Sequence, residues 1–111
     1  MAQITSHTLN GFDGTHAAGI AVQLRNTVNG SIIFSSKMDE GGRLSQHVPA
    51  DHIDPDITYE LVFDTGPYWA EQGINAKAAE IGLRFKMTDP DGAYHMPVII
   101  NPNAYSTWIS S

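Results

Sequence analysis

Five side chains are suited to moving protons near neutral pH: His7, His16, His47, His52 and His95. None has a metal-ligand spacing such as His-x-x-x-His on a helix, so no metal site is expected. His16, beside Thr15 and two alanines in a loop pattern, reads as solvated, as do His47 and His52 in an acid-rich loop. His7 and His95 differ, because each falls inside a strand pattern. The simpler reading of a lone strand histidine is a hydrogen-bonded core or interface residue. A histidine pair can also divide hydrolytic work, one ring activating water while the other protonates a leaving nitrogen. Arg43 follows Gly41 and Gly42 at the end of a loop. Composition alone favours a solvated arginine there. A fixed guanidinium is nevertheless well suited to holding a developing oxyanion. No serine sits in a nucleophile-elbow pattern, which argues against a serine hydrolase.

His95 needs a strand to carry it, and Tyr94 to Asn101 reads as one. Met96, Val98 and Ile100 lie on one side, with Pro97 and Ile99 beside His95 on the other. A strand with one wet face alternates polar and apolar residues, so this strand is expected to be covered on both sides, by its own core on one and with another subunit as the candidate cover on the other. Pro102-Asn103 connects it to a last strand, Ala104 to Ser111, whose hydroxyls could line a polar pocket or simply an edge. His7 lies in a first strand, Ile4 to Asn10, sharing one face with Thr5 and Leu9 while Ile4, Ser6 and Thr8 share the other. Further strands are expected at Ile20 to Thr27, Ser31 to Lys37, Leu44 to Gln46, Thr58 to Thr65 and Ile81 to Thr88. Asn29-Gly30 and Asp89-Pro90-Asp91-Gly92 supply the turns. His47 to Pro55 reads as loop. Pro67 suits a first helical turn, predicting a short helix from Tyr68 to Gln72 stopped by Gly73, with Tyr68 and Trp69 as packing residues. Ile74 to Glu80 has no clear pattern. About eight short strands and one brief helix predict an all-β, two-sheet antiparallel sandwich.

The 111 residues predict one domain, 1–111, large enough for a real core. Twelve acidic against six basic side chains give a net charge of −6, and the basic ones are scattered, which argues against nucleic acid. There is no cysteine, so disulfides and thiolate metal sites are excluded. No apolar run approaches the ~18 residues that span a bilayer, so no membrane partner is expected. A strand pattern follows Met1-Ala2-Gln3-Ile4 directly, which predicts no signal peptide and, by default, a cytoplasmic location.

Several segments together resemble the 5-hydroxyisourate hydrolase family, the enzyme branch of the transthyretin-like fold. Thr5-Ser6-His7-Thr8-Leu9-Asn10 is similar to the family's opening strand and Asp39 to Arg43 to its Gly-Arg loop. Tyr59 to Tyr68 resembles its long strand and helix start. Phe85 to Pro90 and Tyr94-His95-Met96-Pro97 resemble the approach to the penultimate strand. The likeness runs in register from about Thr5 to Thr107, and the order and spacing of the segments make it specific.

The resemblance implies a homotetramer of two-sheet sandwiches with active sites in a channel between dimers. It implies that His7, Arg43 and His95 hold the catalytic positions, with no cofactor. In the family the histidines activate water for attack on a ring carbonyl of 5-hydroxyisourate, and the arginine supports the developing charge. The product is 2-oxo-4-hydroxy-4-carboxy-5-ureidoimidazoline. The family's chain ends in Tyr-Arg-Gly-Ser, a tail that helps bind the polar ring. Here the corresponding residues are Trp108-Ile109-Ser110-Ser111. Losing a charge-assisted hydrogen bond costs ~1.5–3 kcal/mol, and each buried methyl or methylene gains ~0.8 kcal/mol. With Trp108, Ile109, Ser110 and Ser111 as substrate-binding residues, the expected substrate is 5-hydroxyisourate or a less polar, N-methylated analogue. The alternative is a non-catalytic binding protein of the transthyretin type, against which the retention of His7, Arg43 and His95 speaks.

Overall fold

Alternating apolar side chains decide where strands form in the computed structural model, which describes residues 1–111. There are nine strands: β1 (Ala2–Asn10), β2 (Ala21–Asn26), β3 (Ile32–Lys37), β4 (Arg43–Val48), β5 (Tyr59–Asp64), β6 (Ile81–Phe85), β7 (Ala93–His95), β8 (Val98–Asn101) and β9 (Ala104–Thr107). One helix, α1 (Gly66–Glu71), stands between β5 and β6. One sheet has the order β4-β1-β8-β9, with β7 also on β1, and the other runs β3-β2-β5-β6. Between them lies a core of 22 residues, with Ile4, Met96 and Ile100 from the first sheet and Leu24, Leu61 and Phe63 from the second. This is the expected all-β sandwich, burying one face of each sheet.

The strand count exceeds eight because the expected run from Tyr94 to Asn101 is interrupted at Met96-Pro97. Proline has no N–H to give to the ladder. Register nevertheless continues across the break, with Thr5 opposite His95 and Thr8 opposite Val98. Two side chains support the carbonyls there. Ser6 Oγ donates to the Met96 carbonyl at 2.7 Å, and Thr107 Oγ1 donates to the Pro97 carbonyl at 2.9 Å. The pairing of β1 with β7 and β8 is parallel, while the other strand pairs are antiparallel as expected. Parallel neighbours require a long crossover, and here the chain between them builds the whole second sheet.

Three smaller expectations change. Strand β4 runs from Arg43 to Val48 instead of Leu44 to Gln46, since β1 pairs with all of it from His7–Arg43 to Ala2–Val48. His47 is therefore a strand residue. Helix α1 starts at Gly66, one residue before Pro67, and ends at Glu71 before Gly73, whose φ is 72°. The last strand stops at Thr107. Trp69 is fully buried, as a packing residue should be, and Tyr68 takes a hydrogen bond from Asn10 Nδ2 at 3.0 Å. No helix is long and apolar enough to cross a membrane.

Candidate active site

Strand β1 turns Ile4, Ser6, Thr8 and Asn10 into the core, which leaves Thr5, His7 and Leu9 on the outer face. The buried polar members of that row are all hydrogen-bonded. Besides Ser6 and Asn10, Thr8 Oγ1 donates to the Ala17 carbonyl at 2.7 Å. A buried polar group with a partner costs little, whereas one without is expensive. These bonds tie β1 to its neighbours and so fix the outer row. Residues directly opposite in a sheet share a face. His7 faces Arg43, and Thr5 faces Ser45 on one side and His95 on the other. Thr5, Asp39, Arg43, Ser45 and His95 line an open cleft of about 450 Å3. His7 lies just outside that lining, one outward step along β1 from Thr5.

His95 is held from two directions. Its Nδ1 lies 2.8 Å from Thr5 Oγ1. Its backbone N–H donates to the Ser110 carbonyl at 2.8 Å, and its carbonyl accepts from the Ser110 N–H at 2.9 Å. The hydroxyl orients the ring and leaves Nε2 free for other work, the logic of any oriented imidazole. Thr5→Val, which keeps the β-branched shape and removes the hydroxyl, is predicted to lower kcat/KM about tenfold. Circular dichroism should show an unchanged fold, and steady-state kinetics reads the loss.

Arg43 owes its place to the loop before it. Asp39 Oδ1 accepts the backbone N–H of Gly41 at 2.9 Å and of Arg43 at 2.8 Å. Gly42 is buried with φ of 71°, the left-handed region that glycine adopts without steric cost. The Arg43 guanidinium has no carboxylate partner, since the chain's two ion pairs are Met1–Asp91 and Arg84–Glu60. An exposed, unpaired guanidinium at a cleft is available to an anionic or polar ligand.

His7 is half-buried and titrates below the ordinary imidazole range. Burial is the largest cause, followed by the Arg43 charge and by His16, while the Gly41 carbonyl opposes them and His95 adds a little. Its Nε2 lies 2.9 Å from His16 Nδ1, with ring centroids 5.0 Å apart. His16 is exposed, as expected, but it is not free. The Leu9–His16 bridge brings the loop back beside β1, which a reading of strand alternation alone does not reveal.

The tail divides. The Ser110 backbone pairs with His95, and Trp108 and Ile109 are about half exposed, at 52% and 47%. The β9 register carries on to Ser110, so Trp108 shares the alternation of Ser110 and the face of His95. Ser111 lies elsewhere, in a hollow with Thr88, Asp89 and Tyr94.

Residues 4–109 match the HIUase/Transthyretin family. The chain belongs to that family. A 5-hydroxyisourate hydrolase of Pseudomonas aeruginosa is 31% identical over 119 aligned positions, covering 100% of this chain and 93% of the relative. The structure of Klebsiella pneumoniae 5-hydroxyisourate hydrolase superposes with a TM-score of 0.84 at 25% identity, covering all of both chains. Sea bream transthyretin in complex with thyroxine superposes at 0.82 with 21% identity, over 96% of this chain and 93% of that one, a likeness of fold. The hydrolase class expected from the sequence agrees with the names of these bacterial relatives.

Proposed function

We propose that the chain is a cofactor-independent hydrolase that opens the ring of 5-hydroxyisourate or of an N-methylated relative, with His7, Arg43 and His95 as its catalytic residues. The observation that carries this reading is the gathering of two histidines and an unpaired arginine on one outer sheet face. One histidine takes a proton from water as the water oxygen bonds to the ring carbonyl carbon. Charge builds on the carbonyl oxygen, where the Arg43 guanidinium stabilises it. The carbon–nitrogen bond then breaks as the second histidine gives its own proton to the departing nitrogen, and exchange with solvent returns both rings to their starting protonation. The lowered pKa of His7 suits it to the accepting role, because a base must start neutral. His95, with Nδ1 occupied by Thr5, presents Nε2 as the donor.

The outer face of β1, β4, β7 and β8 is also the face on which a homotetramer would close a channel. Ile99 and Trp108 are the apolar surface that such closure would cover. Trp108 and Ile109 replace the polar tail of the resembled family, and this favours the N-methylated substrate. Each methyl placed against them would gain ~0.8 kcal/mol, or about fourfold in kcat/KM. The test is to oxidise urate and its N-methylated forms and to follow decay of each fresh 5-hydroxyisourate with and without the protein. Faster turnover of a methylated compound supports the reading. Equal or faster turnover of the parent removes the methyl preference, and no acceleration of any compound removes the hydrolase.

A further inference from the structure

Besides His7, Arg43, His95 and the Asp39 that lines their cleft, a further titratable side chain is in direct contact with the site. His16 comes from the loop after β1, and several hydrogen bonds set that loop. Asn10 Oδ1 accepts the N–H groups of Phe12 and Asp13, at 2.8 and 3.1 Å. Asp13 Oδ1 accepts the Thr15 N–H at 3.0 Å and its hydroxyl at 2.6 Å. The Asn10 N–H donates to the Thr15 carbonyl at 2.8 Å, and the Ala17 N–H to that of Thr8 at 2.9 Å. Ala17, fully buried, anchors the far end. Between these fixed points His16 bridges Leu9, which shares the outer face with His7 two residues earlier, so the two rings meet.

We infer that His16 is a positioning residue for His7, fixing the plane and the tautomer of its ring through the Nε2–Nδ1 hydrogen bond. The inference rests on the proposed role of His7. A neutral imidazole has one donor and one acceptor nitrogen, so a partner on one nitrogen determines what the other can do. When His7 takes up a proton both its nitrogens become donors, and His16 Nδ1 is then an acceptor at hydrogen-bond distance. Orienting partners of functional histidines are more often carboxylates or carbonyls. An imidazole can serve here when its own proton sits on Nε2, which leaves its Nδ1 to accept.

The test compares the wild-type protein with His16→Ala, which removes the partner, and with His16→Asn, whose amide occupies the place of Nδ1 without titrating. His16→Ser, too short to reach, is a second variant lacking the bond. The exposed side chain and the backbone bridge to Leu9 make folded variants the expectation. For His16→Ala and His16→Ser, kcat is expected to fall about tenfold with little change in KM, and His16→Asn is expected to recover most of the loss. The nitrogen-15 spectrum of the His7 ring should show one dominant tautomer in the wild-type and His16→Asn proteins and a mixture in the other two. Wild-type kcat and an unchanged His7 tautomer in His16→Ala or His16→Ser would overturn the inference. The ring spectrum needs no turnover. If the wild-type protein opened no hydroxyisourate, the proposed function would fail while the spectrum still decided the role of His16.

Discussion

Replacing His95 by Asn is expected to lower kcat/KM by at least about a hundredfold, the usual weight of a general acid or base. His7→Asn should lose as much, and the double variant little more than either single one, because groups that act in one proton relay are not additive. Thermal unfolding should be nearly unchanged, since both side chains lie on the outer face and neither belongs to the core. The pH profile carries the sign of the His7 shift. Burial and the Arg43 charge hold His7 neutral to a pH below its ordinary value of 6.5. If the neutral ring is the base, the acid limb of kcat/KM lies below 6.5 and activity persists there. A limb at or above 6.5 would assign the base elsewhere.

The second large effect is structural. Gly42→Ala is expected to destabilise the protein by about 3 kcal/mol, lowering Tm by about 13 °C. A β-carbon built there stands 2.5 Å from the Thr8 carbonyl oxygen and 3.2 Å from that of Ala17, and the backbone is already left-handed. Both neighbours are main chain, so neither can swing aside. Movement of the loop would also displace Arg43, the next residue, and activity should fall further than stability explains. Gly30→Ala is the control. Its φ is 74° but no atom lies within 4 Å of the new carbon, so only the conformational cost of about 1 kcal/mol applies.

Much of this site was legible in the sequence because period-two alternation assigns faces without knowledge of partners. The alternation of β1 already grouped Thr5 with His7, and Thr5 proves to be the residue that holds His95. The two terminal strands were expected, and the break between β7 and β8 follows from Pro97, whose missing N–H stops the ladder without shifting the register. Alternation does not reveal which strands are neighbours. The parallel partnership of β1 with β7 and β8 joins segments some ninety residues apart, as in the pairing of Thr5 with His95. The contact of His16 with His7 likewise depends on the path of a loop, which Asn10 and Asp13 set through side-chain hydrogen bonds.

The role of the tail is the reverse case. Its departure from the resembled family was visible residue by residue, but its course was not. The structure pairs the Ser110 backbone with His95, places Trp108 on the same alternation, and sends Ser111 to a different hollow. By that alternation Trp108 shares the face of His95 and Ile109 falls on the other, so Trp108 is the tail residue that would offer apolar surface to a ligand above His95.

If His7, Arg43 and His95 open a hydroxyisourate ring, removing both histidines must abolish the reaction. The most direct measurement is the decay of freshly generated 5-hydroxyisourate and its N-methylated forms, recorded with wild-type protein and with the His7→Asn/His95→Asn double variant. The wild-type protein is expected to accelerate decay of at least one compound, and the double variant to bring the rate down close to that of buffer. Equal acceleration by both proteins, or none by the wild type, would contradict it.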